Sequence, residues 1–324
     1  MCGALLFIYS TPMRRILCLA HLLLLALAVG CTSQPTKATT EDTPEATLRF
    51  KPPFNNVNEL TSRADYERYV AHYWDDFRFD IGDDVELYSS DELYSAFAQY
   101  VMLIPANKAD SLLRGLMRRA HASRPVLNLF ADMAHDILYD PNSPVRNDEY
   151  YIPILEELTR SPLLDEYDRM IPEHTLHIVK QNRIGTIAND FKYKTSDGRS
   201  HRLHAINADY TILLFNNPGC EMCKQVIDEI EGSAALRFLS TKHNIVTLAI
   251  YPDEDIEAWR NYLAQMPNGW ICGYDEGMIL TNEKLYDLKA IPSLYLLDRD
   301  KHVLVKDGVS VKQVEEIIKR GIEL

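Results

Sequence analysis

Basic residues and cysteines are both in short supply in this chain, and each shortage excludes something. Lys and Arg number 34 against 47 Asp and Glu, for a formal net charge of −13. No basic stripe gathers the cations that are present, which argues against a nucleic-acid partner. No internal repeat and no long low-complexity tract follows the first fifty residues. His121, His135, His174 and His177 fall at no ligand spacing, and no metal or cofactor is implied anywhere in the chain. Cys31, Cys220, Cys223 and Cys272 are the cysteines left beyond the first thirty residues. What remains is 324 residues, 46% of them hydrophobic, which is ample for two packed domains.

Residues 1–30 read as an address. Arg14 and Arg15 precede an apolar run from Ile16 to Gly30, too short for a comfortable membrane span and ending in small residues. Ala28-Val29-Gly30-Cys31 resembles the lipobox of bacterial lipoproteins, where the cysteine becomes the lipidated first residue of the mature chain. The resemblance implies a lipid-anchored protein of the bacterial cell envelope, facing the periplasm or on the outer membrane. Its membrane partner would be reached through Cys31. The alternative is an ordinary secretory signal with an incidental cysteine. Met13, followed by two arginines, makes a better leader start than Met1. Residues 31–49 lack an apolar period and read as a disordered tether. About sixteen extended residues reach on the order of 50 Å, enough to hold a domain clear of a membrane.

Residues 50–182 read as an all-helical domain. Leu60 to Phe77 carries Tyr66, Tyr69, Val70, Tyr73, Trp74 and Phe77 at 3–4 spacing, one aromatic stripe on a helix. Such a stripe is expected to be core, its Tyr and Trp tips hydrogen-bonded. Further helices are expected from Ser90 to Leu103, Ala106 to Ala122, Pro125 to Leu138, Glu149 to Thr159 and Leu164 to Val179. The loop Asp140-Pro-Asn-Ser-Pro-Val-Arg-Asn separates two of them with turn formers. No catalytic constellation shows here.

From Arg183 strands and helices alternate. The centre of this part is Thr211-Ile-Leu-Leu-Phe-Asn-Asn-Pro-Gly-Cys220-Glu-Met-Cys223, a buried strand stopped by turn residues and running into a helix. Two cysteines three apart share a helix face, so their sulfurs can meet. At a helix N-terminus the dipole and unpaired N–H groups favour thiolate, the nucleophilic form. Cys220 is therefore expected to attack and Cys223 to resolve the mixed disulfide. Other readings compete. A zinc half-site needs a second ligand pair, and His201 and His204 would point to opposite faces of a strand. A structural disulfide fits an oxidising compartment. A peroxidase-type cysteine asks for Thr or Ser where Asn217 stands. Beyond this segment the chain reads as strand Asn244–Tyr251, a helix bearing Ile256, Trp259 and Tyr262, a short extended Trp270–Tyr274, a short helix Leu280–Leu288, a hairpin of Ser293–Asp298 with His302–Val305, and a closing helix Val309–Ile322. That order predicts an α/β thioredoxin-like domain at 183–324 behind the all-α domain.

The second half resembles the TlpA/ResA-like branch of membrane-associated thioredoxins. The resemblance rests on Gly185 with Asp190-Phe191, Asp197-Gly198, the Cys220-Glu-Met-Cys223 segment, Asp253 with Trp259, Tyr286-Asp287, and Ala290-Ile291-Pro292-Ser293. The first half, through His72-Tyr-Trp-Asp-Asp-Phe and Leu138-Tyr-Asp-Pro-Asn-Ser-Pro-Val-Arg-Asn, resembles the uncharacterised helical domain that precedes such thioredoxins in some anchored lipoproteins. The resemblance implies a redox-active disulfide and a cis-proline at Ile291-Pro292, beside the cysteines and binding an extended substrate. Departures accompany it. Gly219 stands where the family has an aromatic, and Leu214 and Val226 stand where relatives carry the acid that takes the resolving thiol's proton. Glu221 opposes the helix dipole and favours a reducing pair. Cys272 reads as a buried apolar residue.

Two functions follow. One is a membrane-anchored thiol-disulfide oxidoreductase reducing protein or small-thiol disulfides, with a disulfide-bearing substrate and an upstream thiol reductant as partners. The other is a redox-idle thioredoxin-fold adaptor whose helical domain binds a partner protein.

Overall fold

The structure, a computed structural model, describes residues 48–53, 62–308 and 310–322. The leader, Cys31 and all but the end of the expected tether lie outside the described residues.

The helical region contains α1 (Arg63–Ala71), α2 (Ser90–Leu103), α3 (Ala109–Ala120), α4 (Arg124–Leu138), α5 (Asp148–Thr159) and α6 (Glu166–Val179). Polar caps set several starts. Ser62 accepts from the Asp65 N–H, Asn147 from the Tyr150 N–H, and Asp165 and Asp168 cap each other reciprocally at α6, each satisfying donors the helix leaves orphaned. Along α4, Val126, Leu127, Phe130, Met133, Ala134, Ile137 and Leu138 are buried, the 3–4 spacing of a core-facing stripe. The core of this region is aromatic. Trp74 stacks on Phe50 at 4.7 Å between ring centres and meets Phe130 edge-on at 5.1 Å. Truncating such a ring to alanine costs about 3–5 kcal/mol.

The aromatic stripe is core, but the helix that was to carry it is shorter than its pattern. α1 stops at Ala71, and residues 72–77 form turns. The Asp75 N–H donates to the His72 carbonyl and the His72 ring meets the Asp75 carboxylate at 2.6 Å, local bonds that compete with helical ones. Tyr73 keeps a hydrogen-bonded tip, donating to Gln99 Oε1 at 2.7 Å. The Trp74 ring nitrogen finds no acceptor among the described residues.

The second region runs β1 (Lys192–Thr195), β2 (Ser200–Arg202), β3 (Tyr210–Phe215), α7 (Glu221–Gly232), α8 (Ala234–Leu239), β4 (Ile245–Tyr251), α9 (Ile256–Tyr262), β5 (Ile271–Tyr274), α10 (Ile279–Asn282), β6 (Ser293–Leu297), β7 (Val303–Val305) and α11 (Val311–Ile322). The strands form one sheet in the order β2-β1-β5-β4-β3-β6-β7. β3, β4 and β5 run parallel, while β6 lies antiparallel to β3 and β7 to β6. From Ile212 to Phe215 β3 is apolar and buried because both its faces are covered. Ile212 and Leu214 pack with Ile227 and Ile230 of α7 and Val314 and Ile318 of α11. Leu213 and Phe215 pack on the other face with Phe191, Leu280 and Tyr286.

The helix expected over Leu280–Leu288 is also cut short. Lys284 has φ of +52°, a left-handed conformation that ends a helix. Both regions belong to one compact unit. Across their junction the Arg183 Nε donates to Glu149 at 2.9 Å and the Asn182 amide to the Leu285 carbonyl at 2.7 Å.

Candidate active site

β3 delivers the cysteine pair. The Asn216 N–H extends the β3–β4 pairing by donating to the Ile250 carbonyl at 3.0 Å. The Asn217 amide then donates to Asp253 at 2.6 Å, tying this loop to the one after β4. Gly219 turns the chain with φ of +74°, a left-handed conformation that favours glycine over any residue with a side chain.

Cys220 is the N-cap of α7, and Cys223 follows on its first turn. Their sulfurs are joined as a disulfide, with 5.2 Å between the α-carbons. The two differ in access. Cys223 is fully buried, while Cys220 is half-buried. The Cys220 sulfur takes the place of a capping oxygen and accepts the Cys223 N–H at 3.1 Å. Once reduced, a thiolate there receives a charge-assisted hydrogen bond at the positive end of a helix. That geometry suits the Cys220 position to nucleophilic attack.

The loop before β6 closes over the pair. Ser293 pairs with Phe215 at the end of β3, which brings Ile291 and Pro292 above the cysteines. The Ile291 carbonyl oxygen lies 3.8 Å from the Cys220 sulfur, and the Ile291–Pro292 peptide is cis. Leu214 of β3 and Val226 of α7 belong to the apolar layer between sheet and helix and carry no group that could accept the resolving thiol's proton. Glu221 and Met222 are exposed beside the disulfide. Among the described residues no cluster of His, Cys, Asp and Glu could hold a metal ion.

Other motif residues have structural contacts. Asp190 accepts from the Arg202 side chain and the His204 N–H, Asp197 closes the β1–β2 turn by accepting from Thr195 and the Arg199 N–H, and Trp259 packs on Tyr274. Cys272 is half-buried where full burial was expected. Desolvation still pushes its thiol up to about 11, which keeps it protonated and unreactive near neutral pH.

Sequence reasoning missed an ionic cluster beside the Ile291–Pro292 loop. Lys289 Nζ lies 2.9 Å from Asp287, 3.5 Å from Asp148 and 3.9 Å from Asp307, and 4.3 Å above the Tyr139 ring centre. Lys306 meets Asp148 at 2.8 Å and donates to the Val179 carbonyl at 2.6 Å. Arg146 meets the Asp307 carboxylate at 3.4 Å and donates to its carbonyl at 3.1 Å. Burial pushes the Asp307 carboxyl above its usual value, against the pull of Arg146, Lys289 and the Ser293 hydroxyl. Tyr286-Asp287 and Pro-Val-Arg146-Asn stood out as tracts, yet nothing in them named a partner.

A solved structure of a thioredoxin-like protein from Bacteroides caccae is 35% identical to this chain, covers 84% of it and 98% of its own length, and superposes with a TM-score of 0.77. The chain belongs to the thioredoxin-like family. Within this thioredoxin-like protein, residues 207–303 match a family model described as thioredoxin-like, and residues 31–182 match one described as a domain of unknown function (DUF5106). The C-terminal domain of an uncharacterized Bacteroides fragilis protein is 38% identical over 43% of this chain and 98% of its own, with a TM-score of 0.41. The thioredoxin domain of a thiol-disulfide oxidoreductase from Bacteroides vulgatus is 14% identical over 43% of this chain and 98% of its own, with a TM-score of 0.38. No curated protein matches.

Proposed function

We propose that this thioredoxin-like protein is a thiol-disulfide oxidoreductase that reduces protein or small-thiol disulfides, held at the bacterial cell envelope by a lipid on Cys31. The observation that carries the redox reading is the unequal pair: a half-buried N-cap Cys220 bonded to a fully buried Cys223. In the reduced protein, the Cys220 thiolate attacks one sulfur of a substrate disulfide. A Cys220–substrate bond forms, and the other substrate sulfur leaves as thiolate. Cys223 gives its proton to the substrate thiolate released in the first step, directly or through solvent, and attacks the Cys220 sulfur. The Cys220–Cys223 bond forms, the second substrate sulfur leaves, and two electrons have passed to the substrate. An upstream thiol reductant returns the pair to its dithiol state. Ile291 and Pro292 would dock the substrate chain beside Cys220.

Replacing Cys223 by Ser removes the resolving step. It should trap a mixed disulfide between Cys220 and its substrate from extract, visible on a non-reducing gel, while Cys220→Ser traps little. The opposite pattern would reverse the roles. The adaptor reading is favoured by one observation, the apolar Leu214 and Val226 in the layer between β3 and α7. It takes over if neither variant captures anything and no thiol cycles the native pair.

A further inference from the structure

Six charged side chains meet where the helical region touches the loops around the cysteine pair. Asp148, Asp287 and Asp307 face Arg146, Lys289 and Lys306, and none of the six is more than 19% exposed. Arg146 comes from the connection into α5, and Asp148 is the first residue of that helix. Asp287 and Lys289 lead into the candidate docking loop, and Lys306 and Asp307 follow β7. Lys289 stands two residues before Ile291. Asp307 accepts from the Ser293 hydroxyl at 3.0 Å, one residue after Pro292. The turn after β7 is tied to the same loop, since the Gly308 N–H donates to the Leu294 carbonyl at 2.7 Å. Contacts thus run from α5 through Lys289 and Asp307 to Ser293, two residues along the chain from Ile291, whose carbonyl sits 3.8 Å from the Cys220 sulfur.

Holding two packed regions together does not require charge. Apolar side chains of similar volume would do so at least as well, because burying an ion cluster costs desolvation that mutual attraction offsets only in good geometry. What such a cluster adds is a fixed register, since its hydrogen bonds are directional and a displaced member is left unpaired in a dry site. Here the register it fixes is that of the docking loop relative to Cys220.

We propose that the helical region is a working part of the redox site, with Asp148 and Arg146 as positioning residues for the Ile291–Pro292 loop. The proposal rests on the oxidoreductase reading above. Asp148 is central because, among the described residues, it alone meets both lysines. Without its charge Lys289 and Lys306 seek other partners, the loop loses its fixed position, and an extended substrate binds less well. The sulfurs themselves are untouched, because Asp148 reaches them only through the loop.

The test uses the full chain with insulin as the disulfide substrate and dithiothreitol as the electron source. Asp148→Asn keeps the side-chain shape and removes the charge. It should lower kcat/KM for insulin at least tenfold, with the loss falling on KM, while the reduction potential of the Cys220–Cys223 pair stays at the native value. Arg146→Met should act in the same direction, and Arg146→Lys should recover part of the loss. An Asp148→Asn protein that is folded by circular dichroism and has native kcat/KM overturns the proposal and leaves the oxidoreductase reading standing. A native chain that cannot reduce insulin or any other disulfide overturns both. If neither Asp148→Asn nor Arg146→Met folds, hydrogen exchange on the native chain decides. Amides at 289–291 and 306–308 protected as well as those of β3 support the proposal, and rapid exchange there overturns it.

Discussion

Replacing Lys289 by Met is the sharpest probe of the junction. Methionine keeps an unbranched stem of similar reach and removes the charge. Lys289 has three carboxylates within 4 Å and its side chain is 11% exposed; those of Asp287, Asp148 and Asp307 are 6%, 13% and 13% exposed. Removing one partner from a buried ionic group costs about 3–5 kcal/mol, because the groups left behind stay charged and dry. Domains commonly have about 5–15 kcal/mol in total. For a unit of this size each kcal/mol is worth about 2–4 °C in Tm, so the midpoint should fall by roughly 6–20 °C. The loss should depend on pH. Burial already raises the Asp307 carboxyl, and Arg146, Lys289 and the Ser293 hydroxyl pull it back while Asp148 pushes it further up. Deleting Lys289 lets it rise more. A carboxyl whose folded pKa exceeds its unfolded one binds its proton more tightly when folded, so stability recovers as pH falls through the folded pKa. Thermal melts by circular dichroism should therefore show a gap between native and Lys289→Met that is widest well above the folded pKa of Asp307 and narrows as pH falls through it. A gap below about 1 kcal/mol, the value of an exposed pair, or one that ignores pH, would refute the reasoning.

Two other expectations are separate from this one. In the helical region, burial raises the Glu156 pKa but hydrogen bonds from Lys180 and Arg114 outweigh it and hold the carboxyl down, from the usual 4.5 to about 2. Its stabilisation is fully present above the unfolded pKa and fades as pH falls toward the folded one, so the stability gap between native and Glu156→Gln should be wide at pH 6 and narrow between 4.5 and 2; a constant gap would contradict the assignment. Cys31→Ser should shift the protein from the membrane fraction to the soluble one, and mass spectrometry should find the native Cys31 acylated; an unmodified Cys31 would remove the anchor.

Much of this protein was legible along the chain because the signals are local. The 3–4 spacing of Val126, Phe130, Met133 and Ile137 records a buried helix face, and Ile212 to Phe215 is apolar at every position because both faces of β3 are covered. Cys220 and Cys223 are set by one turn of helix, so their pairing and the more accessible position of Cys220 could be argued from three-residue spacing and helix polarity. The end of α1 at Ala71 was not legible, since Tyr73, Trp74 and Phe77 stay buried in turns as they would in a helix. Least legible was the ionic cluster. Periodicity reports whether a side chain is buried, but it does not say which charge meets which. Arg146 and Asp307 are separated by 161 residues of chain, and both sit in segments whose composition reads as solvated loop. Only the packing of the α4–α5 connection against the loops around β6 and β7 brings them together, because a buried charge takes its partner from whatever the fold places within reach.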